Sequence, residues 1–145
     1  MNDLERRMGI LEARYEISAL RSKYCWYTTR GMRDAVVALF TDDCLFANAR
    51  QPDGAVVEVR GHNALSTYLA RMRPGRRVPM VMNEVTDVYG DSAEGTCVMQ
   101  SLSDDPFVGH YIDSFRRTEG VWLFAARRFH PYFPTYYPNA DRVDP

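Results

Sequence analysis

Residues 17–43, ISALRSKYCWYTTRGMRDAVVALFTDD, constrain this chain more than any other segment. Ile17, Leu20, Tyr24 and Tyr27 recur at helical spacing and mark one buried face. Gly31 then supplies the left-handed stop with which helices commonly end. Upstream, Asn2 or Asp3 can cap the same helix, and Leu4, Met8, Leu11 and Tyr15 extend its apolar stripe. Downstream, Met32 to Phe40 reads as a second helix that buries Val36, Val37 and Phe40, with Asp42 and Asp43 closing it.

The remaining punctuation predicts mostly strands. Cys44–Ala49 is a first strand, Gln51–Gly54 a turn by composition, and Val56–Arg60 a second strand. Gly61-His62-Asn63 opens a third helix reaching Met72, with Leu65, Leu69 and Met72 inward, and Pro74-Gly75 breaks it. Val78–Tyr89, Ala93–Ser103, Phe107–Phe115 and Val121–Phe129 read as long strands, with Gly90-Asp91 and Glu119-Gly120 as hairpin turns. Strands joined by such short turns are expected to be antiparallel neighbours. The order implies an α+β fold shaped like a cone. Three helices lean on a curved, mostly antiparallel mixed sheet and enclose a pocket for one small apolar molecule.

At 145 residues the chain is long enough for one domain with a real core. That domain is expected over residues 1–133, followed by a tail over 134–145. PYFPTYYPNADRVDP, from Pro131, carries four prolines and four aromatics, too irregular for a helix or strand yet too aromatic for a solvated end. A lid over the pocket and a strap across a neighbouring subunit are both open uses for it. A net charge of -1 and a pI near 6.3 argue against a nucleic-acid partner. Of 18 cationic residues all but Lys23 are arginine; Arg76-Arg77, Arg116-Arg117 and Arg127-Arg128 read as scattered pairs that reflect coding bias. Cys25, Cys44 and Cys97 have no metal or redox spacing and read as buried thiols. No signal peptide or membrane-length apolar run is evident, so a cytoplasmic protein without membrane association is expected.

The order of elements, closing on GHYIDSFRRTEGVWLFAARRF, resembles the nuclear-transport-factor-2-like superfamily over residues 11–133. Within it the chain is most similar to the SnoaL-like group of polyketide cyclases, scytalone dehydratase, bile-acid 7α-dehydratase and hexachlorocyclohexane dehydrochlorinase. The resemblance implies the cone fold and a homodimer or homotrimer, and some relatives close the site with their C-terminal segment. In the dehydratase-like members a tyrosine on the first helix polarises a carbonyl or leaving group. An aspartate five residues later and a histidine at the start of the third strand together abstract a proton. Here Tyr24 falls at the tyrosine position, but Thr29 replaces the aspartate and Val78 or Pro79 the histidine. Ser101 stands where the bile-acid enzyme carries a further carboxylate. An imidazole held by a carboxylate abstracts protons near neutral pH, and these replacements do not. If the protein is an enzyme, it works without that dyad.

Strand alternation and the same resemblance predict the pocket lining. They place Cys97, Met99 and Ser101 inward, then Phe107, Gly109 and Tyr111, then Leu123, Ala125 and Arg127. Tyr24, Thr28 or Thr29, and one set of Met80/Met82 or Val81/Asn83 complete the list. Tyr24, Tyr111 and Arg127 are the catalytic candidates, with Thr29, Asn83, Cys97, Met99, Ser101, Phe107 and Leu123 as substrate contacts. Arg127 either pairs with an acidic neighbour such as Asp113 or enters the cavity to hold a carboxylate or enolate. His110 should point away from the cavity and His62 into solvent, whereas His130 could reach the pocket mouth as a base. Asp104-Asp105-Pro106 reads as an exposed turn.

Two functions fit these residues. One is a cofactor-independent and metal-free lyase, isomerase or cyclase acting on a polycyclic, phenolic or terpenoid compound. The other is a non-catalytic module of the same fold, binding a small apolar or aromatic ligand or serving assembly.

Overall fold

The computed structural model describes residues 1–49, 55–103 and 106–132. The expected turns at Gln51–Gly54 and Asp104-Asp105 and the tail over 134–145 lie outside the described residues. Three helices and six strands follow one another as α1 (Asp3–Thr29), α2 (Arg33–Val37), β1 (Phe40–Asn48), β2 (Val57–Arg60), α3 (Gly61–Tyr68), β3 (Val78–Tyr89), β4 (Ser92–Leu102), β5 (Phe107–Thr118) and β6 (Val121–Pro131). The strands form one mixed sheet in the order β2-β1-β6-β5-β4-β3. Every pairing is antiparallel except β1 with β6, which is parallel. This is the expected α+β architecture.

Helix α1 starts where its capping chemistry dictates. The Asn2 side chain accepts the Glu5 amide at 2.8 Å, and the Glu5 carboxylate accepts the Asn2 amide at 2.9 Å. This reciprocal box satisfies two amides that lack helical partners. Ala13, Ile17, Leu20, Tyr24, Cys25 and Thr28 are buried against the sheet. The outer stripe of the N-terminal half of α1 behaves differently from expectation. Leu4, Met8, Leu11 and Tyr15 are all more than half exposed, because nothing within the described residues lies opposite their stripe.

The second helix is much shorter than its periodicity suggests. It ends at Val37, and Phe40 to Asp43 join β1 instead of closing a helix. Phe40 sits opposite Phe124 of β6 and is buried with it, at a ring separation of 5.0 Å. Pairing to the sheet thus overrides local helical spacing here. Asp43 is held on the surface by Arg116, whose hydrogen bond lowers its pKa. Helix α3 also ends early, at Tyr68, although Leu65, Leu69 and Met72 still turn inward in part or whole.

Two bulges set which side chains reach the interior. In β3 the ladder shifts between Met82 and Val85, where Asn83 adopts φ 54°. Asparagine tolerates this left-handed conformation better than most residues. In β6, Ser114 lies opposite Ala126 and Phe115 opposite Phe124, leaving Ala125 without a counterpart. The extra residue reverses the inside–outside alternation along β6. Phe124 and Arg127, three positions apart, therefore both face the core and are fully buried.

Candidate functional site

A cavity of about 480 Å³ opens between the C-terminal half of α1, the α3 segment and the inner faces of β4, β5 and β6. That volume lies in the range that encloses one drug-sized molecule. Phe46, Met99, Phe107 and Phe129 supply apolar walls, and Leu69 and Met72 close the helical side. Tyr24 and Tyr111 meet edge to face at its floor, with ring centroids 6.1 Å apart. Gly109 stands beside this floor, where a Cβ would strike the Phe129 ring and the His130 carbonyl oxygen. Glycine here lets the aromatic wall close up to the strand.

The two phenols are neutral donors. Burial raises the Tyr24 hydroxyl above its ordinary value, and Arg127 and the hydrogen bond with Tyr111 pull only partly the other way. Tyr111 lies well above its ordinary value, chiefly through burial and then through the neighbouring Tyr24, again opposed by Arg127. Near neutral pH, with one hydroxyl bonded to the other, the pair gives its remaining O–H to a carbonyl or an oxyanion, and neither acts as a base.

Beneath the floor lies a charged layer that is not part of the cavity lining. Arg127 donates to Asp113 twice, Nε to Oδ1 at 2.8 Å and Nη2 to Oδ2 at 3.0 Å. Arg21 approaches the same carboxylate at 3.4 Å and donates to Thr86 Oγ1 at 2.9 Å. Both arginines and Asp113 are fully buried. Two guanidiniums thus share one enclosed carboxylate, with Glu84, partly exposed, 4.0 Å from Arg21. Aromatic faces take up the remaining charge. The Arg127 guanidinium lies 3.7 Å from the Tyr111 ring centroid, 4.3 Å from that of Phe124 and 4.4 Å from that of Tyr24. Desolvation opposes its charge, yet Asp113 and the two phenols outweigh that and leave its pKa raised.

The predicted contacts divide into two groups. Tyr24, Tyr111, Met99, Ser101 and Phe107 line the cavity together. Arg127 does not; of its two expected positions it takes the ion pair with Asp113. Cys97 faces the same side but lies lower, its Sγ 4.0 Å from Arg127. Thr28, not Thr29, faces the cavity. Thr29 returns its hydroxyl to the Cys25 carbonyl at 2.9 Å, while its own carbonyl accepts the Gly75 amide at 2.8 Å. Asn83 serves the β3 bulge and is exposed. Leu123 and Ala125 fall on the opposite face of β6 because the bulge reverses their phase; Leu123 lies opposite Arg116. His130 likewise stands away from the mouth, stacked on His110 at 5.2 Å. His62 is half buried and bonded to the Phe40 carbonyl oxygen at 2.8 Å. The three thiols are buried and unpaired, their pKa values raised chiefly by burial, that of Cys25 to about 11.

Two features escaped the sequence. Ser101 and Thr28 line the cavity within the expected set, but their hydroxyl oxygens are covered and, among the described residues, have no hydrogen-bond partner. Four arginines, Arg71, Arg73, Arg76 and Arg77, converge on its mouth. Their signal is present as RMRPGRR, but only the turn after α3 shows that the run folds back over one opening.

The pattern of the SnoaL-like domain family matches residues 9–128. The chain belongs to this family. No curated protein matches its sequence. Among solved structures, a protein of unknown function from Mycobacterium tuberculosis is 25% identical with a TM-score of 0.71, over 83% of this chain and 77% of that one. A protein named as a scytalone dehydratase from Novosphingobium aromaticivorans aligns with a TM-score of 0.75 at 19% identity, over 88% and 89% of the two chains. Hexachlorocyclohexane dehydrochlorinase LinA-type3 from Novosphingobium barchaimii gives 0.73 at 17% identity, over 91% and 92%. At these identities the last two likenesses speak for the fold. Among the described residues no helix is long and apolar enough to cross a membrane.

Proposed function

We propose that this SnoaL-like domain is a cofactor-independent lyase, isomerase or cyclase for a flat, oxygen-bearing polycyclic, phenolic or terpenoid substrate. The observation that carries the reading is the convergence of hydroxyl-bearing Tyr24, Tyr111, Thr28 and Ser101 on a cavity with apolar walls, beside Asn48 and Tyr68, which are bonded to each other. A buried hydroxyl without a partner is costly, and those of Thr28 and Ser101, unpartnered among the described residues, would gain one by rotating toward an oxygenated ligand. Tyr24 and Tyr111 would bind a carbonyl oxygen and stabilise the negative charge that develops on it. Arg127 would act through the two rings as a positioning residue, its positive charge making the phenols better donors. In a dehydration, the polarised carbonyl acidifies the neighbouring C–H bond. The departing β-hydroxyl takes that proton and leaves as water while the C=C bond forms. Such a step needs no base from the protein, only the polarising hydrogen bond, orientation and desolvation.

A second reading, a non-catalytic small-ligand binder, is favoured by one observation. No histidine, aspartate or glutamate stands among the described lining residues. Tyr24→Phe separates the two. Turnover of a polycyclic β-hydroxy ketone, followed by absorbance of the enone, should fall by about 10²-fold if the phenol is an acid catalyst. Undiminished turnover in the variant rejects that role. Binding of the ketone by wild type with no turnover at all selects the binder. A homodimer or homotrimer is part of the same proposal; the exposed Leu4, Met8, Leu11 and Tyr15 stripe supports it, and light scattering measures it.

A further inference from the structure

We infer that the ligand is an amphiphilic anion, its flat body inside the cavity and a carboxylate, sulfate or phosphate group held at the mouth by Arg71, Arg73 and Arg76. The inference deepens the ligand-binding reading of the cavity and rests on it. Three observations carry it. Arg71, Arg73 and Arg76 border the opening, are exposed, and form no ion pair with any described residue. Arg73 spends one nitrogen on the Met72 carbonyl at 2.9 Å, which fixes the side chain and leaves the rest of the guanidinium for a partner. Arg77 is already engaged, donating to Ser103 Oγ at 3.2 Å and lying over the Phe107 ring, so it shapes the wall.

The segment that carries these arginines is also anchored. The Gly75 amide bonds to the Thr29 carbonyl at the end of α1. Gly31 packs so close to Pro74 that a Cβ would lie 2.6 Å from the proline nitrogen. The rim is thus held against the helix that supplies Tyr24 and Thr28, at a fixed place relative to the cavity floor. Preorganised guanidiniums beside a low-dielectric cavity attract an anion more strongly than the same charges spread over a surface. The unpartnered Thr28 and Ser101 hydroxyls within complete the pattern: apolar walls, neutral donors inside, unneutralised positive charge outside.

Two naphthalene probes of matched body test this on the full chain: 8-anilinonaphthalene-1-sulfonate and the neutral N-phenyl-1-naphthylamine, each titrated by fluorescence. Wild type should bind the sulfonate about tenfold tighter or more, with the advantage shrinking as salt is raised. The double variant Arg73→Gln/Arg76→Gln should lose about that factor for the sulfonate and keep its affinity for the neutral amine. Arg71→Gln, measured singly, gives the same readout if the double variant folds poorly. Ser101→Trp, which fills the cavity, should abolish binding of both. Equal affinities in wild type, or equal losses of both probes in the rim variants, overturn the anion inference while leaving the cavity reading intact. Binding of neither probe overturns both, and binding that survives Ser101→Trp places the probes outside the cavity and also overturns both.

Discussion

Asp113 and Arg127 stand opposite each other on β5 and β6 and join through two hydrogen bonds of 2.8 and 3.0 Å with no exposure to solvent. The pair is not symmetric. Asp113 has a second cation in Arg21, whereas the only carboxylate that Arg127 meets among the described residues is Asp113. Removing the carboxylate leaves two buried guanidiniums to face each other. Asp113→Asn should therefore cost about 3–5 kcal/mol of stability. Arg127→Met, which leaves Asp113 with Arg21, should cost clearly less. Urea denaturation followed by tryptophan fluorescence measures both, and equal losses would show that Arg21 does not share the charge.

The unpartnered hydroxyls make an unusual combination of effects testable. Ser101→Ala and Thr28→Val remove hydroxyls that have no partner among the described residues. Each variant should be as stable as wild type, or more stable by up to about 1 kcal/mol. Each should also bind an oxygenated aromatic such as 2-naphthol about fivefold more weakly, a loss of roughly 1 kcal/mol. Calorimetry and a fluorescence titration supply the two numbers. A destabilised Ser101→Ala protein with unchanged affinity would assign the hydroxyl to the fold.

His110 gives the domain a mild acid sensitivity. Burial, and then the neighbouring His130, lower its pKa from the ordinary value of 6.5. Val98 lies opposite it on β4 and His130 opposite it on β6, with the Tyr132 ring 5.6 Å away, so no carboxylate at these contacts offsets the shift. A lowered folded value means that the unfolded chain binds more protons through this range. Stability is complete above the unfolded value, near 6.5, and weakens as pH falls through the folded one. The urea midpoint should decline from pH 7 to pH 5, and His110→Gln should flatten that decline. An identical slope in the variant would assign the effect to other groups.

Much of the architecture is legible because alternation and turn chemistry agree along β3 to β6. Phe107, Gly109, Tyr111, Asp113 and Phe115 recur at period two on the buried face, and Gly90 and Gly120 mark the hairpins with positive φ. Phe40 shows the limit. Val36, Val37 and Phe40 suit a helix, yet the long-range pairing with Phe124 wins, and nothing local announces it. Thr29, Asn83 and Leu123 failed as contacts for a related reason. Their facing depends on a helix end or a bulge, where one residue changes the phase of all that follows. A trace of the β6 bulge is present in the sequence. Trp122 and Phe124 are apolar at even positions, and the next aromatic, Phe129, is at an odd one.

Ala125 consequently governs more than its methyl group suggests. With strict alternation on β6, an inward Phe124 would send Arg127 outward, and Asp113 would lose its strongest partner. The phenols would then rest on a neutral floor. The electrical character of this site is therefore set by the length of a strand, counted in single residues. The one unpaired residue, Ala125, is what lets Phe124 and Arg127 share a face at a spacing of three.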